Sequence, residues 1–398
     1  MNQRELFLRH VAQTSEIPML GEDLNIAIAK GVKLTDVNGK IYTDLISGIS
    51  VSNVGHCHPK VLDAIHHQSQ KFMHLMVYGE FNQSPQVNYA KKLTDLLPQK
   101  LNSIYYTTSG SEAVEGALKL AKRSTGRTEL ICFKQAYHGS THGALSVMGD
   151  EYFKTSFRPL LPDVRILEFN DLKALELISS KTAAVIIEPI QGEAGVRKAN
   201  RDYIKNLRKI CDDHGTILIF DEIQTGFGRT GNLFVFEELD VIPDILLISK
   251  GMGGGLPIGA FIASTDLMSN LTKNPVLGHI NTFGGNALCV AAANACLEII
   301  ISENLCSRAK QIENIITTKL KHPLIKEIRI HGALGAIDFY NEVLNMRVIK
   351  SCIEKGIICD WFLFCPTAMR IAPPLIITDS ELIEALNTII EVLNTIEV

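Results

Sequence analysis

Ile217-Leu218-Ile219-Phe220-Asp221 is a run of four large apolar residues that stops on a carboxylate, and two other stretches share its form. Ala183-Ala184-Val185-Ile186-Ile187 ends on Glu188, and Ile245-Leu246-Leu247-Ile248 passes through Ser249 into Lys250. Short runs that are apolar on both faces suit strands of a sheet covered by helices on each side. Working outward, the same pattern predicts strands at residues 103–107, 129–133, 164–169, 183–187, 216–220, 244–248 and 258–263. Helical patterns lie between several of them, for example at 111–123 and 201–214. Strands alternating with helices define the α/β class with a mostly parallel central sheet.

The flanks read differently. Residues 25–46 form short strand patterns turned at Asn38-Gly39, a hairpin signal. Beyond about residue 300 come helical patterns at 303–320, 342–355 and 380–396, with a strand near 325–330. A chain of 398 residues exceeds what one core usually serves, so two bodies are expected. The large α/β domain is placed at 51–295. Residues 1–50 and 296–398 are expected to form a smaller α+β lobe built from both termini.

A net charge of −4 without a basic run leaves no footprint for nucleic acid or an anionic membrane, so neither is expected as a partner. The nine cysteines are scattered and include no C-x-x-C pair, which fits reduced thiols and predicts no metal site. Residues 1–20 are too polar for a signal peptide. The apolar stretch 287–301 carries Asn294 and Glu298 and reads as a core or interface helix, not a membrane span. The chain is expected to be cytoplasmic.

In open parallel sheets, ligands bind outside the carboxyl ends of the strands. Glu188, Asp221 and Lys250 fall at three such ends, where charge is costly to desolvate unless it serves a partner or a ligand. A structural ion-pair network is the plainer alternative. The glycine-rich Gly251-Met252-Gly253-Gly254-Gly255 directly after Lys250 favours a site. Because these glycines follow the lysine, the phosphate-loop spacing is absent. A partly desolvated lysine can instead lose its proton and form a Schiff base with a carbonyl.

Two further constellations matter. Thr107-Thr108-Ser109-Gly110-Ser111-Glu112-Ala113 lies where a strand turns into a helix, and free N–H groups at the positive end of that helix suit a phosphate. A simple Ser N-cap is the competing explanation. Tyr137-His138-Gly139 follows another strand, and the Tyr137 ring can stack on a flat ligand. His138 equally suits a satisfied structural histidine and is given no proton-transfer role.

In this order, these residues resemble the class III (omega) aminotransferases of the fold-type I pyridoxal 5′-phosphate (PLP) enzymes. The segment from Ile219 to Gly231, containing Asp221-Glu222-Ile223-Gln224-Thr225-Gly226-Phe227-Gly228-Arg229-Thr230, carries most of the resemblance, followed by Ser249-Lys250-Gly251. Asn53-Val54-Gly55-His56-Cys57-His58-Pro59, Ser109-Gly110-Ser111-Glu112-Ala113, Glu188-Pro189-Ile190-Gln191-Gly192-Glu193, Thr282-Phe283-Gly284-Gly285-Asn286 and Arg370-Ile371-Ala372-Pro373-Pro374 complete it. The acetylornithine/ornithine aminotransferase group is closest in look. The resemblance implies that Lys250 carries the cofactor as a Schiff base and Asp221 pairs with its pyridine nitrogen. It places Gln224 near the phenolic oxygen, Ser109, Gly110 and Ser111 at the phosphate, and Tyr137 over one ring face, with His138 and Glu188 also beside the cofactor. Thr282 would reach the phosphate across an interface, so a homodimer with shared active sites is implied. The partners are a small amine and a keto acid.

Arg370 and Glu193 match a pair that handles carboxylates in relatives using 2-oxoglutarate: the arginine binds the keto acid and the glutamate masks it in the other half-reaction. A guanidinium fork meets a carboxylate bidentately. A permanent salt bridge is the alternative. Glutamate/2-oxoglutarate is therefore the preferred amino partner. One departure stands out: ornithine and acetylornithine enzymes place an arginine just after the aromatic-x-Gly segment, where this chain has Ser140. Losing that contact should weaken such substrates by about 2–4 kcal/mol unless another cation, such as Lys134 or Arg158, substitutes. Acetylornithine or ornithine transfer is thus one option. Another reaction on the same cofactor, by an aminomutase or a decarboxylating transaminase, is a second. A non-enzymatic regulator would need an added DNA-binding module. The cluster Trp361-Phe362-Leu363-Phe364 either lines an entrance for a less polar amine or is core of the small lobe, the latter being preferred.

Overall fold

The computed structural model describes residues 3–12, 24–77 and 79–396. Residues 13–20 of the polar N-terminal stretch lie outside the described residues. The central sheet has seven strands in the order Ser103–Thr107, Gly259–Ala263, Ile245–Ile248, Ile217–Asp221, Thr182–Ile187, Glu129–Phe133, Val164–Leu167. Gly259–Ala263 is antiparallel to both of its neighbours; the other pairings are parallel.

Successive residues of these strands serve two cores, as the pleat requires. Ile186, Ile219, Leu247 and Phe261 pack with Ala113, Val114 and Ala117 of the helix Gly110–Thr125. Ile187, Phe220 and Ile248 face the opposite way, into the cluster containing Tyr203 and Leu207 of Arg201–His214 and Val290 of Ala287–Ser302. Each such side chain, fully buried, contributes about 1.5–3 kcal/mol, so the sheet is anchored on both faces. No single helix among the described residues is long and apolar enough to cross a membrane.

The strand predicted at 216–220 is displaced to Ile217–Asp221. Asp221 pairs with Leu247 of the neighbouring strand, so the carboxylate sits on the last rung and not beyond it. The predicted helix at 111–123 extends to Gly110–Thr125, because Ser109 accepts from Glu112 N–H at 3.2 Å and Gly126 closes the far end in the left-handed conformation. The strand predicted at 164–169 stops at Leu167.

Outside the sheet, Ile26–Lys30, Lys33–Asp36 and Ile41–Asp44 form an antiparallel set, and Ile41–Asp44 pairs in parallel with Ile357–Ile358. Residues from the two flanks thus share one sheet. Asp36 Oδ1 accepts from the N–H groups of Asn38 and Lys40, both at 2.8 Å, which shapes the Asn38-Gly39 turn. A second sheet joins Ile325–His331, Leu334–Phe339, Cys365–Ile371 and Asp360–Phe362. Arg229 ties these parts together. It is fully buried and donates to Ala333 O, Pro373 O, Ser47 Oγ and Asn53 Oδ1 at 2.5–3.1 Å. Burial pushes its guanidinium down to about 9, opposed by the charge of Asp44.

Candidate active site

The parallel register brings the three strand ends together. Ile187 pairs with Phe220 and Asp221 with Leu247, so Glu188, Asp221 and the turn leading to Lys250 stand side by side at one edge. They line a cavity of about 190 Å³ with Ser109, Gly110, Ser111, Tyr137, His138 and Gln224.

Asp221 is held twice. His138 Nδ1 lies 2.7 Å from its Oδ2, and Ile223 N–H donates to its Oδ1 at 3.0 Å. His138 is buried, and its Nε2 has no partner. Glu188 accepts from Tyr137 N–H at 2.9 Å and Gly192 N–H at 3.1 Å, so it fixes the backbone that carries the tyrosine. Burial, opposed by the neighbouring His138, pushes its carboxyl up to about 7. Glu115 Oε1 anchors the far side of the same loop, accepting from Thr141 Oγ1, Gly143 N–H and Ala144 N–H at 2.6–3.2 Å.

Lys250 follows Ser249, whose hydroxyl donates to Ile258 O at 2.6 Å, and has a left-handed backbone with φ of 40°. Such strain in a residue other than glycine is held in place by the surrounding structure. Gly251 allows it: a Cβ there would lie 2.4 Å from Asn53 Nδ2. Burial is the main influence holding the Lys250 ammonium below the ordinary lysine range; Arg370 adds to it, while Glu193, Asp221 and Glu188 oppose it.

Arg370 and Glu193 are both buried, with Nη2 donating to Oε2 at 2.9 Å. Arg370 Nη2 also donates to Trp361 O at 3.0 Å, and the guanidinium lies 4.6 Å from the centre of the Phe362 ring. Asp360 stands 3.3 Å from Arg370 Nε. Burial pushes the Asp360 carboxyl up to about 6 against the pull of Arg370.

The structure does not bring every candidate to the cavity. Thr282 is exposed and lies away from its walls. Lys134 pairs with Glu168 and Arg158 with Glu151, and neither lines the cavity, nor do Glu193 and Arg370, which form their own buried pair. Ser140 is exposed, with its Oγ 3.3 Å from the Tyr137 hydroxyl. The aromatic cluster divides: Phe362 is core, whereas Phe364 packs with Leu145, Met148 and Tyr137 near the mouth, and Leu363 is exposed. Sequence reasoning missed Ile223 and Ser249 as cavity walls and Asp360 as a second carboxylate on Arg370. Ile223 carried a signal, since it sits between Asp221 and Gln224 on one turn. Asp360 carried none, because only strand pairing brings it to Arg370.

The walls fit PLP. Two buried nitrogens, His138 Nε2 and Gln224 Nε2, have no protein partner. Gly110 keeps the helix N-terminus close to Ile223, where a Cβ would come within 2.9 Å. An ammonium, a carboxylate and an anion-binding helix end facing one small cavity define a PLP-dependent transferase of fold type I.

Sequence comparison narrows the class. The profile described as "Aminotransferase class-III" matches residues 17–393, and the chain belongs to this family of PLP-dependent aminotransferases. It is 36% identical to an acetylornithine aminotransferase of Methanopyrus kandleri over 392 residues, 97% of each chain. It is 38% identical to ornithine aminotransferase 1 of Staphylococcus aureus over 374 residues, covering 90% of this chain and 92% of the relative. Among solved structures, the ornithine aminotransferase from Toxoplasma gondii ME49 matches with a TM-score of 0.90 at 30% identity, covering 99% of this chain and 96% of that one. A transaminase from the marine bacterium Virgibacillus matches with a TM-score of 0.91 at 27% identity, covering 98% of each.

Proposed function

We propose that this aminotransferase moves an amino group from an amine or amino acid to a keto acid, with glutamate and 2-oxoglutarate as one partner pair, and that Lys250 and Asp221 are its catalytic residues. The observation that carries the proposal is the convergence of Lys250, Asp221 and the N-terminus of Gly110–Thr125 on one cavity of about 190 Å³. PLP, when bound, supplies an electrophilic carbon and a ring that stores the electron pair left when a C–H bond breaks.

The chain's own residues do the rest. Desolvation leaves more of Lys250 as free amine than in water, which suits it to hold the cofactor covalently. With its Nζ free, the Lys250 side chain would be the group placed to take a proton from the substrate carbon and to give one back. Asp221, fixed between His138 and Ile223 N–H, would pair with the pyridine nitrogen of the bound cofactor and favour its protonated form. Ser109, Gly110 and Ser111 hold the phosphate, Gln224 the phenolic oxygen and Tyr137 one ring face, with His138 and Glu188 supporting them. Glu193 covers Arg370 during the amine half-reaction and gives way to the keto acid carboxylate in the other.

Residues 51–295 are taken as the PLP domain, with 1–50 and 296–398 as the smaller lobe; the shared sheet of the two flanks favours this. A cytoplasmic homodimer is proposed, with Thr282 reaching the partner's phosphate site. Acetylornithine or ornithine is a second reading for the donor, favoured by the names of the curated relatives and opposed by Ser140.

An absorption spectrum of the purified protein tests the core of this assignment. A cofactor band near the visible edge, bleached by glutamate and restored by 2-oxoglutarate, is the expected result. A bound cofactor whose band responds to no amino donor would refute transfer, and bleaching by alanine but not glutamate would replace the partner pair.

A further inference from the structure

Arg370 is poised between two carboxylates that are held in different ways. Glu193 sits in the turn joining the two-residue strands Ile190–Gln191 and Arg197–Lys198, bound to Arg370 through Nη2. Asp360 belongs to the strand Asp360–Phe362 and is the direct cross-strand neighbour of Arg370 in an antiparallel pair. A turn can shift while breaking few backbone rungs, whereas a residue on a paired strand is pinned by its register. Asp360 faces the Nε side of the guanidinium at 3.3 Å, as an ion pair off the hydrogen-bond line. Nη1 is buried and has no protein partner. If Glu193 withdraws, the end of the fork offered to a ligand is therefore Nη1 with Nη2, while Asp360 still flanks Nε.

Withdrawal of Glu193 from a buried arginine without a second carboxylate would leave an uncompensated charge. We propose that Asp360 is a positioning residue that keeps Arg370 aimed and charge-balanced while Glu193 leaves and a substrate carboxylate takes its place. Phe362 beneath the guanidinium and the Trp361 carbonyl complete the mount. This rests on the assignment of Arg370 as the carboxylate anchor, so the test separates the two.

The holoenzyme is challenged with two probes that both displace Lys250 from the cofactor: aminooxyacetate, which carries a carboxylate, and hydroxylamine, which carries none. The ratio of their second-order rate constants, followed by cofactor absorbance, reads the carboxylate anchor alone. Arg370→Ala is expected to collapse the ratio. Asp360→Asn is expected to lower it by about tenfold through the aminooxyacetate rate, with the hydroxylamine rate changed less than about twofold. A merely structural role would depress both rates together.

The chain has one tryptophan, Trp361, beside both partners, so its emission gives a second readout. Glutarate titrated into the holoenzyme should bind about tenfold more weakly to Asp360→Asn. Should that variant not fold, Asp360→Glu, which moves the charge by one methylene, is read in the same way. An unchanged or raised ratio in the Asp360 variant, with Arg370→Ala still impaired, overturns the inference. An unchanged ratio in Arg370→Ala overturns the anchor itself.

Discussion

Lys250 combines three properties that rarely occur together by accident: a left-handed backbone, a desolvated ammonium and a glycine that lets the next turn press against Asn53. Replacing it by alanine keeps the other cavity walls but removes the group proposed as nucleophile and proton carrier. Turnover should fall by about 10³-fold or more, while cofactor remains bound without a covalent link. Steady-state assays with an absorption spectrum would check both halves, and substantial turnover in the variant would remove Lys250 from its role. Ser140 is the position at which the proposed donor choice is tested. Among the described residues lining the cavity Lys250 is the one lysine or arginine, and Ser140, beside the Tyr137 hydroxyl, brings no charge to a distal carboxylate on the donor. Ser140→Arg should therefore raise kcat/KM for ornithine or acetylornithine by about tenfold or more, in line with a gained charge-assisted contact of about 1.5–3 kcal/mol. A wild-type enzyme that already handles these donors well, and a variant that handles them no better, would show that another group does the work.

At the scale of the element, Glu222 shows how the motif after the Asp221 strand is folded. Its carboxyl is buried and accepts from Val235 N–H at 2.6 Å, Phe236 N–H at 2.9 Å and Thr225 Oγ1 at 3.1 Å, pinning a loop to the start of the short helix Phe236–Leu239. Burial outweighs these contacts and pushes the group up to about 8 from an ordinary carboxyl value. Between the ordinary value and about 8, the folded chain therefore binds more proton than the unfolded one, and this contribution to stability falls as pH rises. Relative to Glu222→Gln, which cannot ionise, the wild type should lose up to about 1.4 kcal/mol per pH unit across that window. Denaturant melts of both proteins from pH 5.5 to 8.5 would reveal it, and parallel curves would show that Glu222 stays ionised throughout. The same element marks the limits of reading from sequence. The strands near Glu188, Asp221 and Lys250 were legible because runs such as Ile217–Asp221 are apolar on both faces, and their charged ends announced a ligand edge. Arg229 and Asp360 were not. Both are polar groups whose partners come from distant segments, and no local period encodes those contacts. Ser109 was ambiguous in sequence, and its hydroxyl does cap its own helix while the residue also lines the cavity.

For the whole molecule, the decisive question is what covers the face around Thr282. Phe283, Ile280, Leu277 and Val276 are more than half exposed there, as are Met73, Met76 and Phe81 on the neighbouring segment. The two segments touch: His74 and Phe283 ring centres are 5.1 Å apart, and Asn286 Nδ2 donates to Met73 O at 3.1 Å. Exposed apolar side chains gathered on two touching segments suit a self-complementary interface. If a second copy covers it, sedimentation should report twice the 43.9 kDa chain mass at micromolar concentration. Phe283→Glu would place a charge in that contact and should yield a monomer that still folds, because the side chain is exposed in the single chain. The proposed reach of Thr282 into the phosphate site of a second copy adds a functional consequence, because it would couple cofactor binding to assembly. The monomeric variant should therefore bind PLP about tenfold or more weakly, whereas Thr282→Ala should leave the dimer intact and weaken PLP by a smaller factor, consistent with one lost contact to a charged group. A Phe283→Glu monomer that retains full PLP affinity would separate assembly from the active site and leave Thr282 without a role in it.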